Sequence, residues 1–380
     1  MKIILFTVML ILTYGCQSNQ YVEIIYPFAK SKNRHDIKAL VKEIIPLETS
    51  STSMVGLITK ARFIKDRILV FDFLHGRTVS CFSKEGKLLY KIPIGKGYGE
   101  ANSISDFTVF ENILFIRCPN YILLYNVEDG KFIKQVMDDS SVFFTQFELL
   151  NSGLILGFGY APPIVNSENE MEYIQDLEDI ITYRTAIIEN NQIKAGHYFL
   201  DANPDFIQII PSNPISVYNS NVLCIYPPFP EIYQFADGEM KLKYKIDYGK
   251  YSFKKIELKS NSAIYAKAIR SGERIGFEDN LLETEYFIIF SYVKEIGKRT
   301  FCLYSKKSNS SYSIDEILNN IGLPYLTVAS VIGDNTLLCI MDPSLLNEND
   351  LRDFNNLYHN LNITFMSNSI VLLIKIEEHV

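Results

Sequence analysis

The sequence predicts an all-β protein: a six-bladed β-propeller of four-stranded antiparallel blades, closed by an N-terminal strand that joins the C-terminal blade. Three observations carry that prediction. Short apolar runs rich in β-branched and aromatic residues recur along the chain, and a composition with 24 Tyr, 25 Phe and no Trp adds to its strand-forming share. The runs come in fours separated by polar turns, and the pattern repeats at 44 residues from Gly86 to Gly130, a spacing that suits one propeller blade. The last unit lacks its outermost strand, while the run Val41 to Leu47 stands ahead of the first complete unit without a hairpin partner.

In chain order, Met1 to Cys16 opens with Lys2 and an apolar run from Ile3 to Leu12, followed by Thr13-Tyr14-Gly15-Cys16. The run is well short of the ~20 residues that span a bilayer. With a small residue before a cysteine, it reads as a lipoprotein signal peptide with Cys16 as the acceptor, a plain secretory signal being the alternative. Leu12 lies one place further from Cys16 than a lipobox leucine usually does. Residues 17–36 read as a polar linker, and 37–380 as a single propeller domain. Gln17-Ser18-Asn19-Gln20 carries no acidic residue, which points to the periplasmic side of the cell envelope.

Ile58 to Ile64, Arg67 to Phe73, Thr78 to Phe82 and Lys87 to Ile92 read as the first blade. Asp106 to Phe110, Ile113 to Arg117, Tyr121 to Asn126 and Lys131 to Val136 read as the second. A third blade begins at Phe147, is broken by an insertion near 161–183 and resumes at Thr185. The fourth runs from Ile215, and the fifth starts near Leu281 after an insertion at 249–280. The sixth opens at Thr327, carries an insertion at 342–369 with a helical stretch over Asn347 to Leu361, and ends on Ser369 to Ile376. The proline in Glu43 to Glu48 suits an edge strand, and this segment supplies the missing outer strand of the sixth blade.

The runs IIPLET (44–49), FIKDRILVFD (63–72), FSKEGKLLYKI (82–92), the loop GKGYGE (95–100) before Asp106-Phe107, ETEYFIIF (283–290) and SNSIVLLIKI (367–376) together resemble the six-bladed β-propeller lipoproteins abundant in Bacteroides-like bacteria. The resemblance covers nearly the whole mature chain. That family's loop often reads G-x-G-P-G-E-Y; here Tyr98 stands for the proline and Ala101 for the tyrosine. It implies an outer-membrane or periplasmic lipoprotein and carries no mechanism, since propellers host binding and enzymatic roles alike.

In a four-stranded meander, the first-to-second and third-to-fourth turns share one side of the disc, and the second-to-third loops and blade junctions share the other. The first class is short and polar throughout, suited to tight hairpins. Every long segment falls in the second class: 95–105, 161–183, 200–214, 249–280 and 342–369. Long loops often carry function, so that side is the candidate binding face, with His75, Arg77, Tyr98, Glu100, Tyr160, Tyr226, Phe229, Arg270 and Arg274 on it. The rigid loop Tyr226-Pro227-Pro228-Phe229-Pro230 is the best single lead, with packing between adjacent blades as the alternative.

Other motifs carry less. Gly95 to Gly99 invites a phosphate-loop reading, but no helix follows it. Glu168, Glu170, Glu172, Asp176, Glu178 and Asp179 form an acidic cluster without the glycine turn of a calcium loop. Five histidines show no metal spacing, and no G-x-S-x-G elbow occurs. Cys81, Cys118, Cys224, Cys302 and Cys339 sit in apolar runs and read as small buried hydrophobes. No metal or cofactor site is predicted. A net charge of −7 and a pI near 5.4 give no electrostatic reason to bind nucleic acid. The expected function is therefore that of a membrane-anchored, non-catalytic binding or scaffold propeller that meets an envelope protein or glycan. The alternative is a hydrolase or lyase acting on a sugar or small ester, with a channel metal.

Overall fold

The structure, a computed structural model, describes residues 21–25 and 37–378 apart from 74–75, 138–143, 152–153, 160–182, 191, 199–210, 237, 255–256, 258–261, 296–297, 320–321, 324–325 and 359–360. Six sheets, each built on a four-stranded antiparallel meander, form a ring. In chain order the strands are β1 (Val22–Ile25), β2 (Ile37–Pro46), β3 (Ile58–Ile64), β4 (Arg67–Asp72), β5 (Thr78–Ser83), β6 (Leu88–Lys91), β7 (Asp106–Phe110), β8 (Ile113–Cys118), β9 (Tyr121–Asn126) and β10 (Phe132–Met137). They continue as β11 (Phe144–Asn151), β12 (Leu154–Gly159), β13 (Tyr183–Glu189), β14 (Gln192–Tyr198), β15 (Ile215–Tyr218), β16 (Asn221–Ile225), β17 (Glu231–Ala236) and β18 (Glu239–Asp247). The last are β19 (Gly276–Glu283), β20 (Phe287–Glu295), β21 (Lys298–Ser305), β22 (Ser310–Ser313), β23 (Thr327–Ile332), β24 (Thr336–Met341) and β25 (Ile370–Glu378). Helices α1 (Ser262–Arg270), α2 (Ile314–Asn319) and α3 (Glu348–Leu357) lie in the connections.

The first strand of each blade is innermost, since β7 packs on β11, β11 on β15, β15 on β19, β19 on β23 and β23 on β3. The ring closes as the sequence predicts. β2 pairs antiparallel with β25 from Ile37 opposite Glu378 to Pro46 opposite Ile370, so the sixth blade runs β23-β24-β25-β2. The closing strand starts at Ile37, four residues earlier than the apolar run suggests.

The core is six apolar slabs, one between each pair of blades. Leu69, Cys81, Phe107 and Leu114 fill the first interface, and Phe115 meets Phe144 and Phe147 in the second. Phe158 and Cys224 lie in the third, Ile232 and Phe290 in the fourth, Leu303 and Leu337 in the fifth, and Val70 and Leu338 in the sixth. Strands sandwiched on both faces read as continuous apolar runs rather than alternating ones, as β4 does over Ile68-Leu69-Val70-Phe71, with every residue from Ile68 to Asp72 buried. All five described cysteines are buried thiols in these slabs, as their flanking residues imply.

Three boundaries need correction. Val22–Ile25, inside the segment read as a linker, is a strand that pairs parallel with β18 and makes the fourth blade five-stranded. It buries Ile24 completely; four residues with one apolar contact are too short a signal for periodicity to find. The fifth blade starts at Gly276 rather than near Leu281, so the preceding connection ends at Ile275. Its first strand is irregular there, with register shifts on both sides of Asp279 and positive φ at Phe277 and Asn280, and Glu278 and Asp279 break the apolar run. In the sixth blade, the expected helix forms over Glu348–Leu357, capped by the Asn347 side chain, which accepts from the Asp350 N–H at 2.9 Å.

At the tight turns, Lys65, Glu111, Asn190, Asn219 and Gly130 adopt positive φ, the conformation that twisted two-residue hairpins require. Gly86 shows why one of them is glycine. A Cβ there would meet the Pro46 carbonyl oxygen at 2.1 Å, because the Glu48 N–H donates to the Gly86 carbonyl at 2.8 Å and pins the closing strand to the first blade.

Candidate functional site

The loop-decorated side is built from junctions tied to one another by buried polar groups. Asn368, at the end of the sixth-blade insertion, is buried. Its Nδ2 donates to the carbonyls of Glu48 at 2.5 Å and Ser53 at 3.0 Å, and its Oδ1 accepts from the Val55 N–H at 3.0 Å. Asp72 Oδ2 accepts from the N–H of Gly56 and of Gly76, each at 2.8 Å. Lys91 donates to the Met54 carbonyl at 2.8 Å. The insertion, the sixth-to-first junction and the β4–β5 loop are therefore one hydrogen-bonded platform.

That platform presents apolar side chains to solvent. Met54, Leu57, Phe73 and Met366 are exposed on its segments, with Ile94 and Tyr98 on the next junction, Leu345, Leu357 and Phe365 on the insertion, and Ile264 on α1. In the turns of the opposite side, Tyr286 is the exposed large apolar residue among those described. Charges there meet locally instead: Lys65 with Glu128 at 3.5 Å and Lys84 with Asp66 at 3.7 Å. The two sides differ in chemistry as well as in loop length.

The predicted face residues divide. Arg77 is exposed with positive φ. Tyr98 is 84% exposed and stands edge-on to Phe132, with ring centroids 5.0 Å apart. Glu100 turns inward on its own loop: its carboxylate accepts from the Gly97 N–H at 2.9 Å, and a Cβ at Gly95 would meet its Oε2 at 2.0 Å. The loop already holds an anion of its own, so its glycines serve close packing rather than phosphate. Arg270 is exposed, and Arg274 is half-buried and paired with Glu257 at 2.9 Å. Phe229 is half-buried and packs with Tyr265 and Ile269 of α1.

Tyr226 is a correction. It is fully buried, stacks on Phe158 at 5.6 Å and shares a hydroxyl hydrogen bond with Thr185. Pro227 and Pro228 are buried with it, so this aromatic loop joins the third and fourth blades instead of facing a ligand. His75 and Tyr160, with the acidic run 168–179, lie outside the described residues.

Sequence reasoning missed the charges at the ring's inner wall. Lys60 on β3 is buried and donates to both oxygens of Asp106 on β7, at 2.9 and 3.1 Å, and to Glu148 on β11 at 3.3 Å. Arg62 donates to the same Glu148 oxygen at 2.9 Å, Thr108 donates to the other, and the Phe147 N–H donates to Asp106 at 2.9 Å. Burial pushes the Glu148 carboxyl up, but the Lys60 and Arg62 cations and the Thr108 hydroxyl outweigh it and hold it below the usual carboxylate range. Asp106 moves the other way: burial and the Glu148 charge raise it beyond what Lys60 recovers. Two cations and two carboxylates thus neutralise one another across three blades.

On the opposite part of the wall, Asp279 on β19 pairs with Arg299 at 2.6 Å and accepts from the Asn213 N–H at 2.8 Å, and Glu283 pairs with Lys306 at 2.7 Å. Glu278, next to Asp279 on β19, has no cation acting on it among the described residues. Its Oε2 has no hydrogen-bond partner among the described residues, and burial pushes its carboxyl up to about 7, only partly offset by backbone and Tyr248 hydrogen bonds. The signal for these sites was present as Lys60, Asp106, Glu148 and Glu278, each inside or beside a strand-like run, but nothing in one sequence aligns separate inner strands. Among the described residues, no group of three or more His, Cys, Asp or Glu side chains is placed to hold a metal ion.

Ring and closure define a six-bladed β-propeller. Residues 32–375 match the family described as Domain of unknown function (DUF4934), and the chain belongs to it. The chain is also similar in structure to a protein of Bacteroides fragilis NCTC 9343 provisionally described as exported, with TM-score 0.67 and 17% identity over 94% of this chain and 100% of that one. A second similar structure is the β-propeller domain of Cps50 (Swd1) from Myceliophteria thermophila, with TM-score 0.43 and 10% identity over 89% of this chain and 99% of that one. No curated protein matches.

Proposed function

We propose that this chain is a non-catalytic binding propeller that docks a protein partner on its loop-decorated side, and that it works in the cell envelope, held there by a lipid on Cys16. The observation that carries the reading is the one-sidedness of the exposed apolar loop residues. Met54, Leu57, Phe73 and Met366 stand on segments held rigid by Asn368 and Asp72, so their exposure is built in. Ordered, solvent-facing apolar clusters of this kind mark interaction sites, and their pre-organisation lowers the entropy cost of docking. The envelope address rests on the apolar leader ending in Cys16 and agrees with the exported description of the Bacteroides fragilis protein. Four of the five inner-strand carboxylates described above, Asp106, Glu148, Asp279 and Glu283, already hold cations, which favours binding over catalysis there.

The test compares the mature chain with a Met54→Asp, Phe73→Asp, Met366→Asp variant and with a Tyr286→Asp control as baits for cross-linked envelope extract. A partner retained by wild type and control should fall at least about tenfold with the triple variant, since each truncated apolar anchor in an interface is worth on the order of 1–2 kcal/mol. Equal retention by all three would remove the platform from consideration. Retention abolished by glycosidase but not by protease would make the partner a glycan.

A further inference from the structure

One strip of linked segments carries the exposed apolar platform, and hydrogen bonds fix the order of its parts. The α3 helix is tied in by Asn355, whose side chain donates to the Ile363 carbonyl at 2.8 Å and accepts from the Ile363 N–H at 3.0 Å. Further along, Asn368 joins the insertion to Glu48, Ser53 and Val55. Asp72 then bridges Gly56 and Gly76. The Thr78 hydroxyl donates to the Ile92 carbonyl at 2.8 Å, which brings in the next junction, with Ile94 and Lys96. The strip thus runs from α3 through Met366, Met54, Leu57 and Phe73 to Arg77 and Lys96.

Its two ends present opposite charges. On α3, Asp350, Asp353 and the apolar Leu357 are all exposed, and their spacing of three and four residues puts them on one stripe of the helix. Glu348 adds a third exposed carboxylate, against one cation, Arg352, which lies 3.8 Å from Asp353. At the far end Arg77 and Lys96 are exposed, and neither forms an ion pair among the described residues. The acids near them are turned to the backbone instead: Asp72 is buried on Gly56 and Gly76, Glu100 accepts from the Gly97 N–H, and Glu48 accepts from the Leu88 N–H at 3.2 Å.

We infer that the partner of the platform is a second copy of this chain, docked about a two-fold axis through the apolar middle of the strip. This deepens the binding reading above and rests on it. A two-fold rotation reverses the strip upon itself, so the apolar residues of the middle meet their counterparts while α3 of each copy lies over Arg77 and Lys96 of the other. An unrelated partner would have to match an acidic end, an apolar middle and a basic end in that order; a second copy does so by symmetry. The net charge of −7 on each copy opposes approach. The apolar middle therefore supplies the attraction, and the charged ends set the register.

The test uses the mature chain with Cys16→Ser, so that no lipid holds copies together. Sedimentation velocity should show a dimer that dissociates on dilution. Arg77→Glu with Lys96→Glu sets acid against acid, and Asp350→Lys with Asp353→Lys sets base against base, so each double variant alone should self-associate at least about tenfold more weakly than wild type. Mixed in equal amounts, the two variants restore opposite charges at both ends, and the dimer should return. Undiminished association of either variant alone, or no recovery on mixing two variants that circular dichroism shows to be folded, would overturn this register. Carbodiimide cross-linking of wild type, mixed from chains labelled with light and heavy nitrogen, needs no substitution: Lys96 should join Asp350 or Asp353 in peptides that combine the two isotopes. A wild-type chain that stays monomeric and gives no mixed-isotope peptide would overturn self-docking. If that monomer still retains a different envelope protein and loses it with Met54→Asp, Phe73→Asp, Met366→Asp, self-docking has failed while the binding reading stands.

Discussion

Two buried glutamates on inner strands, Glu148 and Glu278, show how differently one ring treats the same side chain. Glu148 faces Lys60, Arg62 and Thr108, drawn from the first two blades, and stays ionised although solvent is excluded. Glu278 sits beside Tyr248 and Tyr265 with no cation acting on it among the described residues, and its carboxyl resists ionisation up to about 7. A charge removed from water is tolerated where partners converge on it and is costly where they do not. The wall at the first three blades is therefore an interlocking element that couples those blades, and the wall at the fifth is a tolerated weakness beneath the face that carries α1.

Removing Lys60 should break this contrast most strongly. Lys60→Met keeps the apolar stem and deletes the charge, leaving Asp106 and Glu148 facing each other; loss of one partner of a buried network costs about 3–5 kcal/mol. The cost should shrink at acidic pH, where the two carboxyls protonate. Urea unfolding of variant and wild type at pH 8 and pH 5 measures it, and a pH-independent difference below about 1 kcal/mol would show that the network couples nothing.

Glu278→Gln should act in the opposite direction. The folded-state value lies near 7 against an ordinary 4.5, so the folded protein binds more protons than the unfolded chain between those values. Wild-type stability therefore falls as pH rises from 4.5 to 7 and is flat above. A neutral amide escapes that loss. The variant should match wild type near pH 4 and exceed it at pH 8 by on the order of 3 kcal/mol. Thermal unfolding across pH 4 to 8 decides it, and parallel curves would place Glu278 with the neutralised acids.

The smallest effect sharpens the comparison from the edge of the network. Arg62 is a fifth exposed, so water compensates part of its loss. Arg62→Gln should cost about 1 kcal/mol, and a cost equal to that of Lys60→Met would mean that the Glu148 pair rather than the Lys60 junction holds the blades together.

The fold was legible because local chemistry dictates it. Lys65-Asp66, Glu111-Asn112 and Glu85-Gly86 make tight turns wherever they fall, and the runs between them have strand length and strand composition. The closing strand was legible by bookkeeping, since Ser369 to Ile376 left one outer place empty and Val41 to Leu47 had no neighbour. The candidate face was legible as a side, through loop length, but only in part as residues. Arg77, Tyr98 and Arg270 are exposed there, while Tyr226 turned inward because two adjacent blades offered its ring a stacking partner and its hydroxyl a hydrogen bond. Phe73 was overlooked since an apolar residue at the end of a strand looks like core, and Met54 and Met366 since a lone apolar residue in a loop carries no sign of exposure until the neighbours that fail to cover it are known.

By itself, the sequence determined the number of blades, the side on which the long loops stand and the burial of five cysteines, because each follows from spacing, turn chemistry and short apolar runs within a few residues of one another. The tertiary structure alone decided which charges meet at the inner wall and that Val22–Ile25 joins the fourth blade. Lys60 and Glu148 are 88 residues apart, and Val22 lies more than two hundred residues before its partner Tyr244. Such pairings are set by the closure of the ring, which brings inner strands and outer edges together by geometry that no local pattern encodes.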